Sequence, residues 1–310
     1  MVDEPEHLRE QEVLALENGT ASATDLARLH RHIARCADCR RWVAQVATAI
    51  AGAVGLNVAL TEAIALGHDC GHGPGGHASE DAFAPYVEGG YDHAVWGADV
   101  VLSPLNLCVE TLDGIRNHSW SRPVPATPEG EVVSWADRIA YVCHDFEDAV
   151  HAGIVAADAL PAAVRDHCGA SRPAQLGRFI RAMVDTIAAT GQIAMDEPTA
   201  AALAEFRRFN YERIYMRPAS VTQSETVIRV LRALVEYYAD RPNTLPFDSP
   251  TLDETPAYLP RPHVPASGSP QALLDAVTYV AGMTDRFAFG TAVTHLGWDR
   301  SALPQGVGLR

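Results

Sequence analysis

Hydrophobic positions recur at helical spacing through most of this chain, and there is little strand signal anywhere. Residues 135–149 (WADRIAYVCHDFEDA) set Asp137, Tyr141, Asp145 and Asp148 at i, i+4, i+8 and i+11, with Ile139, Ala140 and Val142 on the opposite face. Helical patterns also run from about 171 to 190, 197 to 215 and 220 to 240, and a final helix starts near Pro270. Val43 to Leu66 is apolar enough to suggest a membrane span, but Gln45, Asn57 and Glu62 interrupt it, and Gly55, Leu56 and Asn57 read as a turn between two buried core helices. Residues 241–268, rich in proline, predict an extended loop over the surface. The predicted fold class is all-α. In the last helix Asp285 and Arg286 predict a buried ion pair.

The densest chemistry lies in residues 64–80, IALGHDCGHGPGGHASE. His68 and Asp69 end an apolar helical run, where adjacent side chains can both lean over one metal ion. His72 follows His68 by four residues, on the same face of a continued helix. Gly73, Pro74, Gly75 and Gly76 cannot prolong that helix, so a new one is expected near His77. There His77 and Glu80, spaced i, i+3, can form an acid/base pair. The acidic face of residues 137–148 belongs to a helix whose other face is apolar. Carboxylates so placed need a partner, and a metal ion is the usual one.

Four segments, LTEAIALGHDCGHGPGGHASEDAF, LNLCVETLDGIRNHSW, ADRIAYVCHDFEDAVHAGI and YVAGMTDRFA, resemble in order the deoxyguanosine triphosphate triphosphohydrolases of the HD phosphohydrolase superfamily. The resemblance covers roughly residues 43–296. It implies a helical HD-domain bundle, a divalent metal ion (Mn, Mg, Fe, Co or Zn), and cleavage of a nucleoside triphosphate at the α-phosphorus to nucleoside and tripolyphosphate. Matched motif by motif, it implies His68, Asp69 and Asp137 as metal ligands and His77 and Glu80 as the catalytic pair. It further implies Tyr141 against the sugar, Asp145 at its 3′ hydroxyl, and His72, His93 and His118 near the phosphates. Arg116 is a candidate phosphate contact or, equally, a solvated surface residue. The family's symmetric oligomers make a homo-oligomer part of the same expectation.

The chain departs from that family at its first metal ligand, a histidine one helix upstream. Gap-free alignment of Val43 to Asn57 puts Cys39 in its place, and the arginine-rich approach segment is missing. The stretch ending HIARCADC resembles the zinc-binding helical domain of anti-sigma factors, with His7, His32, Cys36 and Cys39 as a tetrahedral ligand set. Cys39 cannot easily serve both sites, so a zinc site in a small helical segment over 1–40 and a thiolate-completed HD site in the main domain, 41–310, are rival assignments.

Composition narrows the classes further. A chain of 310 residues with 47% hydrophobic content can bury a large core. Its net charge of −15 argues against a duplex nucleic-acid surface, which needs lysine and arginine against phosphates. A nucleotide is the expected partner, and no membrane is expected. Six cysteines without a compact disulfide pattern, and an opening without a signal-peptide pattern, make the cytoplasm the expected compartment. Three functions stay open: a deoxynucleoside triphosphate triphosphohydrolase, a phosphatase acting on a monophosphate or unusual nucleotide, and a nucleotide-binding regulator that has lost turnover.

Overall fold

A computed structural model describes residues 37–245 and 264–304, with the side chains of 37–41 outside the description. His7, His32 and Cys36 lie outside the described residues, as does most of the proline-rich stretch, and Cys39 is described in backbone only. The described residues are helices, turns and irregular segments, with no strand among them. Among them no helix is long and apolar enough to cross a membrane.

The described residues divide into two units, the first comprising 37–71 and 93–223, the second 72–92, 224–245 and 264–304. Helix α1 (Ala37–Val54) opens the first unit and buries Val46, Ala47 and Ile50. Gly55, at φ +77°, ends it in the left-handed region that glycine enters at little cost. Asn57 then caps α2 (Val58–Gly67) by accepting the Leu60 N–H at 3.1 Å. The turn expected at residues 55–57 is thus a paired C-terminal stop and N-terminal cap.

The core of this unit surrounds a long helix. Helix α3 (Ala78–Phe83) belongs to the second unit; α4 (His93–Trp96) runs into a π-helical turn over Gly97–Val101, and α5 (Val109–Asn117) follows. Thr127 caps α6 (Pro128–His151), and Pro128 sits in its first turn, where a missing N–H costs nothing. Val132, Val133, Ala136, Ile139, Val142 and Cys143 of α6 are buried with Ile50, Ile64 and Ile115 in one cluster. Packing of α2 on α5 is close because each helix sets a glycine against an isoleucine of the other: a Cβ on Gly114 would meet Ile64 Cδ1 at 2.5 Å, and one on Gly67 would meet Ile115 Cδ1 at 2.6 Å. Helices α7 (Ala162–Cys168), α8 (Arg172–Thr190) and α9 (Glu197–Asn210) complete the unit, with Phe206 of α9 edge-on to Phe146.

Helix α10 (Pro218–Asp240) contributes to both units. In the second unit it buries Val230, Leu231 and Leu234, and its Arg232 donates to the Asp81 carbonyl at 2.8 Å. The expected final helix is two, α11 (Pro270–Ala281) and α12 (Asp285–Leu296), because Gly282 closes the first and Thr284 caps the second. The predicted Asp285–Arg286 ion pair is not formed as a buried pair: Arg286 is exposed, and the buried Asp285 carboxylate accepts the Gly75 N–H at 2.9 Å.

One carboxyl of α6 makes stability depend on pH. Asp148 is buried, and burial, with Asp145 and Glu147 adding repulsion, pushes its pKa from 3.8 to about 7. A folded-state pKa above the unfolded one stabilises the fold below about pH 4, and this is lost as pH rises through about 7. Asp148→Asn is therefore expected to unfold at higher denaturant than the native chain at pH 8, by at most about 4 kcal/mol, and to match it near pH 4. Parallel stability curves across that range would show that Asp148 carries no such burden.

Candidate metal centre

Helix α2 stops at Gly67, and its cap residue His68 turns inward, with only 1% of it exposed. His68 Nδ1 lies 2.7 Å from the Ala65 carbonyl. A carbonyl can only accept, so Nδ1 carries the hydrogen and Nε2 is turned toward the carboxylates. That Nε2 lies 3.2 Å from Asp69 Oδ2 and 3.6 Å from Asp137 Oδ1. It is buried and faces both carboxylates, a position from which an imidazole nitrogen can serve as a metal ligand.

His118, the cap residue of α5, repeats the arrangement. Its Nδ1 lies 2.7 Å from the Ile115 carbonyl, and Nε2 faces Asp69 Oδ1 at 3.9 Å and His93 Nε2 at 3.2 Å. His93 Nε2 is itself 3.6 Å from Asp69 Oδ1. Ser134 of α6 donates to the His118 carbonyl and so ties the end of α5 to the helix that carries Asp137. Gly71 brings the chain after Asp69 against α4 so closely that a Cβ there would sit 2.0 Å from the His93 carbonyl oxygen and 2.4 Å from the Gly97 nitrogen.

Charge follows from this geometry. Burial disfavours a charged His68, yet the Asp69 and Asp137 carboxylates outweigh it and hold its pKa well above 6.5. Burial also opposes ionisation of Asp137, and His68 reverses it, so that carboxyl stays below its ordinary value. Burial, with His68 close by, pushes His118 down to about 4, leaving it neutral at ordinary pH. Anionic carboxylates beside imidazoles whose outer nitrogens are tied to carbonyls form a donor set suited to a divalent cation.

One and two turns beyond Asp137, α6 carries Tyr141 and Asp145. Arg207 Nε donates to the Tyr141 hydroxyl at 3.1 Å, and the Tyr215 hydroxyl donates to Asp145. Burial raises Asp145 to about 6 despite that hydrogen bond. Arg138 lies over the Trp120 ring, its guanidinium carbon 3.1 Å from the centroid, with a buried Nε that has no hydrogen-bond partner among the described residues. Arg138, Arg207 and Tyr215 were not legible as site residues: Arg138 is masked by its neighbour Asp137, and Arg207 and Tyr215 reach α6 from 66 and 70 residues away. Arg116, the cation that sequence offered, instead pairs with Asp99 at the surface.

The second unit holds the other candidates. His72 does not continue the face of His68, because α2 ends before it. Its ring packs edge-on to that of His77 at 4.6 Å, and His77 is the residue that precedes α3, which carries Glu80 in its first turn.

Two family models match the chain: the HD domain over residues 40–142 and the phosphohydrolase-associated domain over 193–292. Among relatives, a deoxyguanosinetriphosphate triphosphohydrolase-like protein of Caldanaerobacter subterraneus subsp. tengcongensis is 33% identical across 79% of this chain and 70% of its own length. One of Clostridium perfringens (strain 13 / Type A) is also 33% identical, across 79% and 72%. One of Paracoccus denitrificans is 31% identical across 82% of each. His68, Asp69, His93, His118 and Asp137 all fall inside the segment that the first model covers. With that cluster inside the matched segment and relatives aligned over most of the chain, this protein belongs to the HD-domain phosphohydrolases and is an enzyme of that family.

Proposed function

We propose that this chain hydrolyses a deoxynucleoside triphosphate, dGTP or a near analogue, to nucleoside and tripolyphosphate. The observation that carries the reading is the run of Asp137, Tyr141 and Asp145 at successive turns of α6, with Asp137 against His68 and Asp69 at one end and the hydroxyls of Tyr141 and Tyr215 engaged at the other. A divalent cation held by His68, Asp69 and Asp137 would polarise a phosphoryl oxygen and lower the pKa of an attacking water.

The other roles follow from side-chain chemistry. Tyr141, held by Arg207, offers an aromatic face to the sugar, and Asp145 offers a carboxyl oxygen to its 3′ hydroxyl. Arg138 and Arg207 supply the local positive charge that a chain of net charge −15 needs near phosphates. Water attacks the α-phosphorus, the bond to the 5′ oxygen breaks, and the nucleoside leaves with a proton on that oxygen. The resemblance assigns transfer of the water's proton to His77 and Glu80, and phosphate contacts to His72, His93 and His118. The names of the relatives favour the triphosphate over the monophosphate.

Product analysis by mass spectrometry, after incubating manganese-loaded protein with nucleoside mono-, di- and triphosphates, tests this. Nucleoside and tripolyphosphate from a deoxynucleoside triphosphate are expected. Orthophosphate alone from a monophosphate would replace the reading with a phosphatase, and no product from any nucleotide would leave a binding protein.

A further inference from the structure

Trp120 sits in a turn that follows the end of α5, with 48% of it exposed. The Arg122 N–H closes that turn by donating to the Ser119 carbonyl at 2.9 Å, and Ser134 of α6 anchors it by donating to the His118 carbonyl. One face of the indole is taken: Arg138 lies over the ring, its guanidinium carbon 3.1 Å from the centroid. Trp135 meets the same indole edge to face, with centroids 4.8 Å apart and planes at 81°. Trp135 and Arg138 stand at i and i+3 on α6, so the guanidinium and the ring that braces its platform ride on one helix. Burial, with Arg207 adding repulsion, pushes the Arg138 pKa down to about 10, which leaves it a cation at neutral pH.

We propose that Trp120 is a positioning residue: its indole holds the Arg138 guanidinium beside Asp137 and Tyr141, with its N–H donors turned to the phosphate chain of the substrate. This rests on the nucleotide reading above and adds the residue that keeps one of its cations in place. A carboxylate partner would hold Arg138 as firmly, but it would neutralise the charge and occupy the N–H fork that phosphate oxygens need. An aromatic face takes the flat side of the guanidinium and leaves the fork at its edge. The buried Arg138 Nε, which no protein group among the described residues has taken as a hydrogen-bond donor, fits that arrangement. The competing position is close at hand. Trp120 and Trp135 line a cavity of about 230 Å³ with Arg122, Pro123 and Glu131, and Glu131 lies two turns before Arg138 on the same helix. With the indole gone, the guanidinium has room to turn toward that carboxylate and away from Tyr141.

The test is a double-mutant cycle on the manganese-loaded full chain, with Trp120→Ala and Arg138→Ala made singly and together. Two quantities are read: kcat/KM for dGTP, and calorimetric affinity for inorganic tripolyphosphate. Trp120→Ala is expected to lower both by about tenfold with manganese content unchanged, and Trp120→Phe, which keeps an aromatic face, to recover most of the loss. In the Arg138→Ala background the same Trp120→Ala substitution is expected to change either quantity by less than about twofold, because a ring that acts through Arg138 has nothing left to hold. A ring that merely supported the fold would cost the same factor with and without Arg138, and that additive result overturns the proposal. A Trp120→Ala chain that matches the native one in both quantities overturns it as well. If the native chain hydrolyses no nucleotide, coupled losses of tripolyphosphate affinity uphold the role of Trp120 and sink the proposed substrate, whereas an affinity indifferent to Trp120 sinks both.

Discussion

Asp137→Asn is expected to abolish turnover, by about 10³-fold or more, while the chain stays folded. The substitution keeps the side chain's size but removes the charge that faces His68 across 3.6 Å. A metal ion stabilises a phosphoryl transition state by several kcal/mol, and each 1.36 kcal/mol is tenfold in rate, so losing its anchor costs at least three decades. Metal content is the readout that separates this from a general defect: it is expected to fall by one ion per chain. Unchanged metal content with unchanged rate would remove Asp137 from the centre.

Gly71→Ala is expected to destabilise the first unit by about 3 kcal/mol or more and to impair cation binding without touching a ligand. The added Cβ would meet the His93 carbonyl oxygen at 2.0 Å and the Gly97 nitrogen and Cα at 2.4 and 2.9 Å. All three are backbone atoms, so no rotamer change relieves the clash and α4 must move as a body. That motion carries His93 away from Asp69. Gly67→Ala is the comparison, since the nearest atoms its Cβ would meet belong to the Ile115 and Leu102 side chains rather than to backbone. Thermal unfolding and manganese titration of both variants check the prediction. If Gly71→Ala is as stable as Gly67→Ala, the close approach does not govern the site.

Periodicity and spacing made much of this protein legible before folding. The acidic stripe of α6, the stop at residues 55–57 and the helices at Arg172–Thr190 and Pro218–Asp240 are local features, and local backbone chemistry places them within a few residues. The same reasoning failed where the chain had a choice. Four-residue spacing put His72 on the face of His68, but α2 ends at Gly67, before His72 is reached. Adjacent Asp285 and Arg286 suggested a pair, but the buried carboxylate took a backbone N–H brought from 210 residues away.

By itself the sequence determined the all-α class, the His68–Asp69 pair at a helix end, and Asp137, Tyr141 and Asp145 on one helical face. Only the tertiary structure decided which oxygen of Asp69 faces which imidazole, that His93 and His118 converge to 3.2 Å, and that Arg207 and Tyr215 hold Tyr141 and Asp145. The reason is physical. A helical period is set by hydrogen bonds four residues apart and can be read from any short window. The meeting of α2, α4, α5 and α6 at one point depends instead on how closely Gly67, Gly71 and Gly114 let those backbones approach, and that is settled only when the whole core packs.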